Sequence, residues 1–339
     1  MRRLIDITTL TKLPETIKTQ LDEFVYHHPH GNFFQSPRAF RFFESVDHYE
    51  PYALIAFDGG TIVGSLIAVF IKEGTGIKGY FSRRCIVWGG PLVLDGNENI
   101  IKLLLNALIK ISTPKAIYTE FRNFIDRSAC KIIFKSFGFQ FNQNLNYIVT
   151  IDGLENVRQL MSESKRRQIN KGLKNGAEII EAESIDQVRE FYAILSDLYH
   201  EKVKKPLPKF NFFESFYTNN DLGLYLLVRL EGKIIGGIMC PVYRDTIYEW
   251  YVCGLDTNYH DLYPSVLSTW APIDYAVRHG YRYFDFMGAG KPEDKYGVRQ
   301  FKSQFGGELV NYGRFLRVEN KCLYVLGKVG LRVVSFLKH

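Results

Sequence analysis

The chain has 339 residues, 46% hydrophobic and 15% aromatic, with 43 Lys and Arg against 36 Asp and Glu. That length provides for about two domains, each with its own core, and the apolar content excludes disorder as the dominant state. A formal charge of +7 favours an anionic partner, whether nucleic acid, a phosphate-bearing substrate or a membrane surface; a merely solvated basic surface is the alternative.

No apolar run reaches the ~20 residues of a spanning helix. The opening Met1, Arg2, Arg3 meets Asp6 and Thr8 before any apolar stretch, which reads as no secretory leader and hence a cytoplasmic protein. Cys85, Cys130, Cys240, Cys253 and Cys322 are scattered, odd in number and without a C-x-x-C, as expected of free thiols. His27, His28 and His30 flank Pro29 and Gly31. Loop spacing and the lack of an adjacent acid or thiol give no metal-ligand pattern, so no metal is expected.

Residues 53–57 and 61–70 are β-rich runs around Asp58, Gly59 and Gly60, the pattern of a hairpin. An extended stretch over 79–94 contains Trp88, Gly89, Gly90 and Pro91. Apolar residues at 100, 101, 103, 104, 105, 108 and 109 predict a helix over 99–111. A strand over 116–121, a helix stopping at Gly138 and a strand over 147–150 complete the first half. The second half repeats this order: runs at 225–228 and 234–239, an aromatic strand over 247–252, a helix over 264–279 and a strand over 283–286. Pro272 is expected to kink or restart that helix. Residues 320–339 read as an apolar helix bearing Lys321, Lys328, Arg332 and Lys338. Thr61–Gly64 matches Lys233–Gly236 at a spacing of 172, and Ser136–Gly138 matches Gln304–Gly306 at 168. Nearly constant spacings over a long stretch argue that one unit was duplicated.

Each half resembles the GNAT acetyltransferase fold. Its two central parallel strands splay apart and leave backbone groups for a ligand's amides. Tyr283, Asp285, Gly288 and Gly290, then Phe301-Lys302 and Phe305-Gly306-Gly307, resemble the FemAB family's aromatic-Asp-x-x-Gly strand end, Phe-Lys and Phe-Gly-Gly. Residues 164–171 resemble the start of that family's second domain. The resemblance implies an α/β fold made of two tandem GNAT-like mixed-sheet domains, 1–150 and 151–317. A helix over 318–339 would return to the first, and the donor and catalytic site would lie in the second. It implies a monomeric acyltransferase joining an acyl or aminoacyl group to an amine of a cell-envelope precursor, a sugar or peptide. No cofactor would be held permanently; acyl-CoA or aminoacyl-tRNA would serve as co-substrate. Peripheral contact with the inner face of the membrane would run through the C-terminal helix.

Two departures stand out. After the Gln35-Ser36 motif, Phe43 takes the position of a phosphate-holding Lys, leaving Arg38 or Arg41 as substitutes, and no sustained heptads signal a coiled-coil arm. The GNAT pyrophosphate loop is also missing before Pro264, and Gly288, Gly290 and Lys291 do not complete a Walker A loop, because Asp285 and Pro292 stand in the wrong places.

By resemblance, Lys302 after Phe301 is the leading catalytic candidate, a cation for the donor's phosphate or a developing oxyanion. Its replacement by alanine is expected to cripple turnover and spare the fold. Asp285 is either a proton acceptor for the amine or a cap on the following turn. Tyr251 and Tyr248 lie on the strand expected to splay, Tyr251 being the better candidate for substrate contact. Arg166, within the basic run 165–174, and Lys202 and Lys205 are candidate phosphate contacts, as is Arg41 in the first half. Two other readings remain open: a non-catalytic nucleic-acid-binding protein, and a membrane-surface scaffold built on a degenerate repeat.

Overall fold

The computed structural model describes residues 2–7, as a backbone strand, and residues 13–327. The chain divides into two units: Met1–Gln143 with Tyr312–His339, and Asn144–Asn311. Each holds an eight-stranded sheet. Among the described residues no helix is long and apolar enough to cross a membrane.

Unit 1 runs β1 (Arg2–Ile7), α1 (Glu15–His27), α2 (Pro37–Glu44), β2 (Tyr49–Asp58), β3 (Thr61–Ile71), α3 (Gly76–Ser82), β4 (Arg84–Trp88), β5 (Leu92–Val93), α4 (Glu98–Lys115), β6 (Tyr118–Arg122), α5 (Lys131–Ser136) and β7 (Gln140–Asn142). Gly59 and Gly60, at φ +58° and +90°, make the two-residue turn that the β2–β3 hairpin needs. Asn97 caps α4 by accepting from the N–H groups of Asn99 and Ile100, and Ile100, Ile101, Leu104, Leu105 and Leu108 bury the predicted apolar stripe against the sheet.

The Gln-Ser motif is structural in this unit. Gln35 is buried and its amide stands in for missing ladder bonds between β3 and β4. Its Nε2 donates to Ile67 O (3.0 Å) and Trp88 O (2.8 Å), and its Oε1 accepts from Ile67 N–H (2.8 Å). Ser36 caps α2 at Ala39 N–H. The histidines of the 27–31 turn are likewise tied to backbone: His28 Nε2 lies 3.2 Å from Val93 O, and His28 Nδ1 accepts from His30 N–H.

Unit 2 runs β8 (Asn146–Thr150), α6 (Leu154–Leu160), α7 (Glu163–Lys174), β9 (Glu178–Glu181), α8 (Ile185–Leu198), a π-helical turn (Tyr199–Val203), α9 (Phe210–Thr218), β10 (Gly223–Leu230), β11 (Lys233–Tyr243), β12 (Thr246–Tyr248), β13 (Tyr251–Gly254), α10 (Pro264–His279), β14 (Tyr283–Asp285), α11 (Gly297–Ser303) and β15 (Glu308–Val310). The chain then returns to unit 1 as β16 (Arg314–Val318), followed by helical residues 321–327.

Three expectations change here. The strand placed at the end of the first half is β8, which pairs with β14 and β15 in the second sheet. The last segment of the chain contributes a strand as well as a helix, since β16 lies between β6 and β7, antiparallel to both. Helix α10 runs continuously through Pro272, whose missing N–H costs one bond to Ser268 O. The expected helix beyond residue 327 lies outside the described residues.

An ion network ties β16 to β6. Arg122 Nε lies 2.7 Å and Arg314 Nη1 3.2 Å from Glu120 Oε1. Burial alone raises the Glu120 pKa, but the two guanidiniums outweigh it and hold the carboxyl below its usual range. A depressed carboxyl pKa stabilises the fold above the unfolded value and loses that contribution as pH falls through the native one. Glu120→Gln is therefore expected to be less stable near neutral pH, with the gap to the parent chain narrowing in acid. Urea midpoints measured across that range check this; a gap independent of pH would contradict it.

Candidate active site

Unit 2 owes its site to a failure of strand pairing. β12 runs parallel to β14 for three residues only, Thr246, Ile247 and Tyr248 against Tyr283, Phe284 and Asp285. On β11, Val242 pairs with Ile247 and Met239 with Tyr251, so a span of three positions on β11 opposes four between Ile247 and Tyr251. The extra residue is a bulge at Glu249-Trp250, where Trp250 N–H donates to Met239 O (3.0 Å). It turns β13 onto a new course, and among the described residues β13 pairs with β11 alone.

The ladder phase then decides which groups are open. Tyr251 and Cys253 lie opposite Met239 and Gly237, and Leu255 N–H donates to Ile235 O at 2.9 Å. Alternate residues of an antiparallel strand aim opposite ways, so Val252 and Gly254 aim their N–H and C=O away from β11. The corresponding parallel pair of unit 1 contrasts with this: β4 and β6 stay zipped for five residues, Arg84–Trp88 against Tyr118–Arg122.

The opposite wall of the opening is the turn after β14. Asp285 Oδ1 accepts from Asn146 Nδ2 and from Met287 N–H, both at 2.7 Å, and Asn146 Oδ1 accepts from Gly288 N–H at 2.7 Å. Met287 and Gly288 have φ of +58° and +137°, so the turn leaves the sheet sharply. Burial pushes the Asp285 carboxyl up, opposed by its hydrogen bonds. Of the two roles expected for Asp285, this geometry is the turn cap.

Lys302 is buried on α11, and all three of its ammonium protons have an acceptor: Glu249 Oε1 (2.7 Å), Phe286 O (2.8 Å) and Gly288 O (2.9 Å). One side chain thus clamps the bulge on one wall to the turn on the other. Glu249 is buried too, and burial pushes its carboxyl up against the pull of Lys302. The sequence reading missed Glu249. Its signal was a lone acid in the otherwise apolar run Tyr248, Trp250, Tyr251. Phe301 is half-buried, its ring 5.2 Å from Phe305 and 4.6 Å from Lys165 Nζ.

Tyr251 is half-buried against Phe213 (5.1 Å between ring centres) and Tyr199 (6.3 Å). Tyr199, another residue not anticipated, begins the π-helical turn. Burial raises its hydroxyl pKa to about 12, with Tyr296, Cys253 and Glu249 adding to the effect. Tyr248 is buried beside Asp285, with its hydroxyl pKa pushed up by burial.

The basic run is less uniform than its sequence. Lys165 is buried and donates to Gln168; Lys171 pairs with Asp261 at 2.6 Å and Arg167 with Glu163 at 3.3 Å. Arg166 is half-buried and Lys174 exposed on the same helix, while Lys202 and Lys205 are exposed on and just after the π-helical turn. Arg41 is exposed on α2 of unit 1, so the structure does not bring it into this site's own unit. Helix α7 reaches the loop before α10 through Gly172, where a side chain would meet Leu262 O at 2.4 Å.

The start of α10 carries its own anion. Asp256 Oδ1 accepts from Ser265 N–H at 3.0 Å, and Pro264 at the first helical position removes another donor.

Residues 162–303 match the family described as "Acetyltransferase (GNAT) domain". Unit 2 carries a GNAT acyltransferase domain. The whole chain is similar in fold to the crystal structure of FemX, with a TM-score of 0.71 at 16% identity over 95% of this chain and 99% of that one. It is also similar to a tandem GNAT protein from the clavulanic acid biosynthesis pathway (TM-score 0.59, 10% identity, 94% and 99% covered). L-PGS from Bacillus licheniformis is a further likeness (TM-score 0.56, 15% identity, 94% and 96% covered). No curated protein matches the chain. The two units together thus share their fold with that tandem GNAT protein and with FemX, and the matched GNAT domain is the part of unit 2 that holds the splayed strands.

Proposed function

We propose that unit 2 transfers an aminoacyl group from aminoacyl-tRNA to an amine of a cell-envelope component. The observation that carries this reading is the unpaired edge of β13, where Val252 and Gly254 present backbone donors and acceptors to an extended donor. The amine nitrogen attacks the ester carbonyl carbon, a C–N bond forms, the C–O bond to the ribose breaks, and the proton lost from nitrogen ends on the departing hydroxyl. Outward N–H groups along the edge suit the oxygen that gains charge during attack. Lys302 acts as a positioning residue, holding Glu249 and the 286–288 turn at a fixed separation, and Tyr251 and Tyr199 form an aromatic wall for the acceptor.

The choice of tRNA over coenzyme A rests on α10. A carboxylate already accepts at its N-terminus, where a pyrophosphate would meet repulsion in place of free N–H groups. Arg166, Lys174, Lys202 and Lys205 lie on other elements of unit 2 and supply contacts for the phosphates of an acceptor stem. The likeness in fold to FemX and L-PGS supports a cell-envelope acceptor, and the proposed acceptor group is an amine on a sugar or peptide precursor. We further propose that the protein is a monomer with no resident cofactor, that it works at the inner face of the membrane, and that the second of its two GNAT-like domains holds the donor.

The test is a discharge assay with labelled aminoacyl-tRNA and acyl-CoA pools in the presence of envelope precursors. Discharge of tRNA alone is expected. Discharge of acyl-CoA alone overturns the donor assignment, and discharge of neither overturns the transferase reading. Val252→Pro removes one outward N–H while leaving the β11 ladder intact. It is expected to weaken donor use about two- to tenfold, and unchanged kinetics would reject the edge as the donor's seat.

A further inference from the structure

An inside-out helix stands at one end of the unit 1 sheet. Ile77, Tyr80 and Phe81 on α3 follow an i, i+3, i+4 spacing and so share one face, yet they are 80%, 50% and 43% exposed. The opposite side is pinned: Gly79 is buried, and a side chain there would meet Gly74 O at 2.4 Å. Ser82 Oγ donates to Lys78 O (2.8 Å) and accepts from Glu73 N–H (2.7 Å), and Arg84 pairs with Glu73 at 2.6 Å. The apolar face is therefore held outward by a closed set of bonds. The stretch 72–84 that carries it holds Lys72, Lys78, Arg83 and Arg84 with Glu73 as its one acid.

A second element springs from the same edge. Ile117 N–H donates to Arg83 O (2.9 Å), while Ile117 O accepts from the N–H groups of Glu319 (2.9 Å) and Asn320 (3.1 Å). The helical residues 321–327 begin there, with Lys321, Val325 and Leu326 exposed and the Tyr324 ring 5.7 Å from Tyr118. A cavity of about 460 Å³ is lined by Lys72, Arg83 and Arg84, which flank α3 in the chain, and by Lys115, with Glu50 its lining acid and already paired to Lys115 at 2.7 Å.

We propose that this end of unit 1 is a membrane-surface face that seats on an anionic bilayer. Ile77, Tyr80 and Phe81 enter the boundary between headgroups and acyl chains, and Lys72, Lys78 and Arg83 meet lipid phosphates, the cavity receiving a headgroup. A rigid apolar stripe on a cationic stretch fits that occupant because apolar insertion and phosphate attraction add at one depth. A protein partner is disfavoured because lysine is depleted from protein–protein interfaces relative to the rest of the surface. The inference stands on unit 1 alone and is independent of the donor chemistry of unit 2.

The test is co-sedimentation of the full chain with phosphatidylcholine vesicles, with and without phosphatidylglycerol. Binding at least tenfold tighter to the anionic vesicles, weakening with salt, is expected. Ile77→Ser with Phe81→Ser should lower that binding at least tenfold at an unchanged melting temperature. Lys72→Gln with Lys78→Gln should weaken it by a similar factor and flatten its salt dependence. A chain that ignores anionic vesicles overturns the proposal, and so does serine-variant binding equal to that of the parent. If the parent self-associates in sedimentation velocity and the serine variant does not, the face is a chain–chain interface and the proposal falls.

Discussion

Lys302→Ala is expected to destabilise unit 2 by about 3–5 kcal/mol, because it strips the partner from a buried carboxylate. For a unit of this size that corresponds to a fall in melting temperature of roughly 6–20 °C. The expectation drawn from sequence, that the substitution spares the fold, therefore gives way: Glu249 and the carbonyls of Phe286 and Gly288 all lose their donor together. Turnover should fall about 100-fold, the size of effect that a misplacement near 1 Å produces. A second variant separates clamp from charge. Glu249→Gln with Lys302→Met removes both charges of the clamp, so most of the stability should return, while turnover stays low because the bulge and the turn are no longer held together. Calorimetry and steady-state kinetics on both variants decide the matter. Parent-like turnover in the double variant would reject the positioning role.

Phe315→Ala is expected to cost about 3–5 kcal/mol, all of it in unit 1. Phe315 on β16 is buried, stacked on Phe134 with 4.0 Å between ring centres and 5.4 Å from the Phe141 ring. A residue from the far end of the chain thus completes a core begun by α5 and β7. Urea unfolding followed by a probe confined to unit 1 measures the loss; a cost below about 1 kcal/mol would mean that β16 is dispensable to that core.

Much of this was legible in residues. The Gly59-Gly60 turn, the apolar stripe of α4, the repeated order of elements and the strand ending in Asp285 all follow from local rules of period, turn chemistry and propensity. The Phe301-Lys302 signature falls on α11, where the Lys302 ammonium donates to the turn after β14. Other features are non-local and left no such mark. β8 and the second half of the aromatic strand read as ordinary strands, because their neighbours in the sheet are chosen by packing far along the chain.

The sequence by itself determined that two copies of one mixed α/β unit are present, that the second retains the acyltransferase signature, and that the chain is basic. Only the tertiary structure decided which groups those residues meet. A bulge opens β13, because an extra residue in one strand turns it away from its parallel neighbour. Lys302 spends its three protons on a carboxylate and two carbonyls, because burial leaves no charge unpaired. Asp285 closes a turn, and Asp256 holds the helix end that a pyrophosphate would need. Each of these outcomes depends on which groups meet across distances that sequence spacing does not encode.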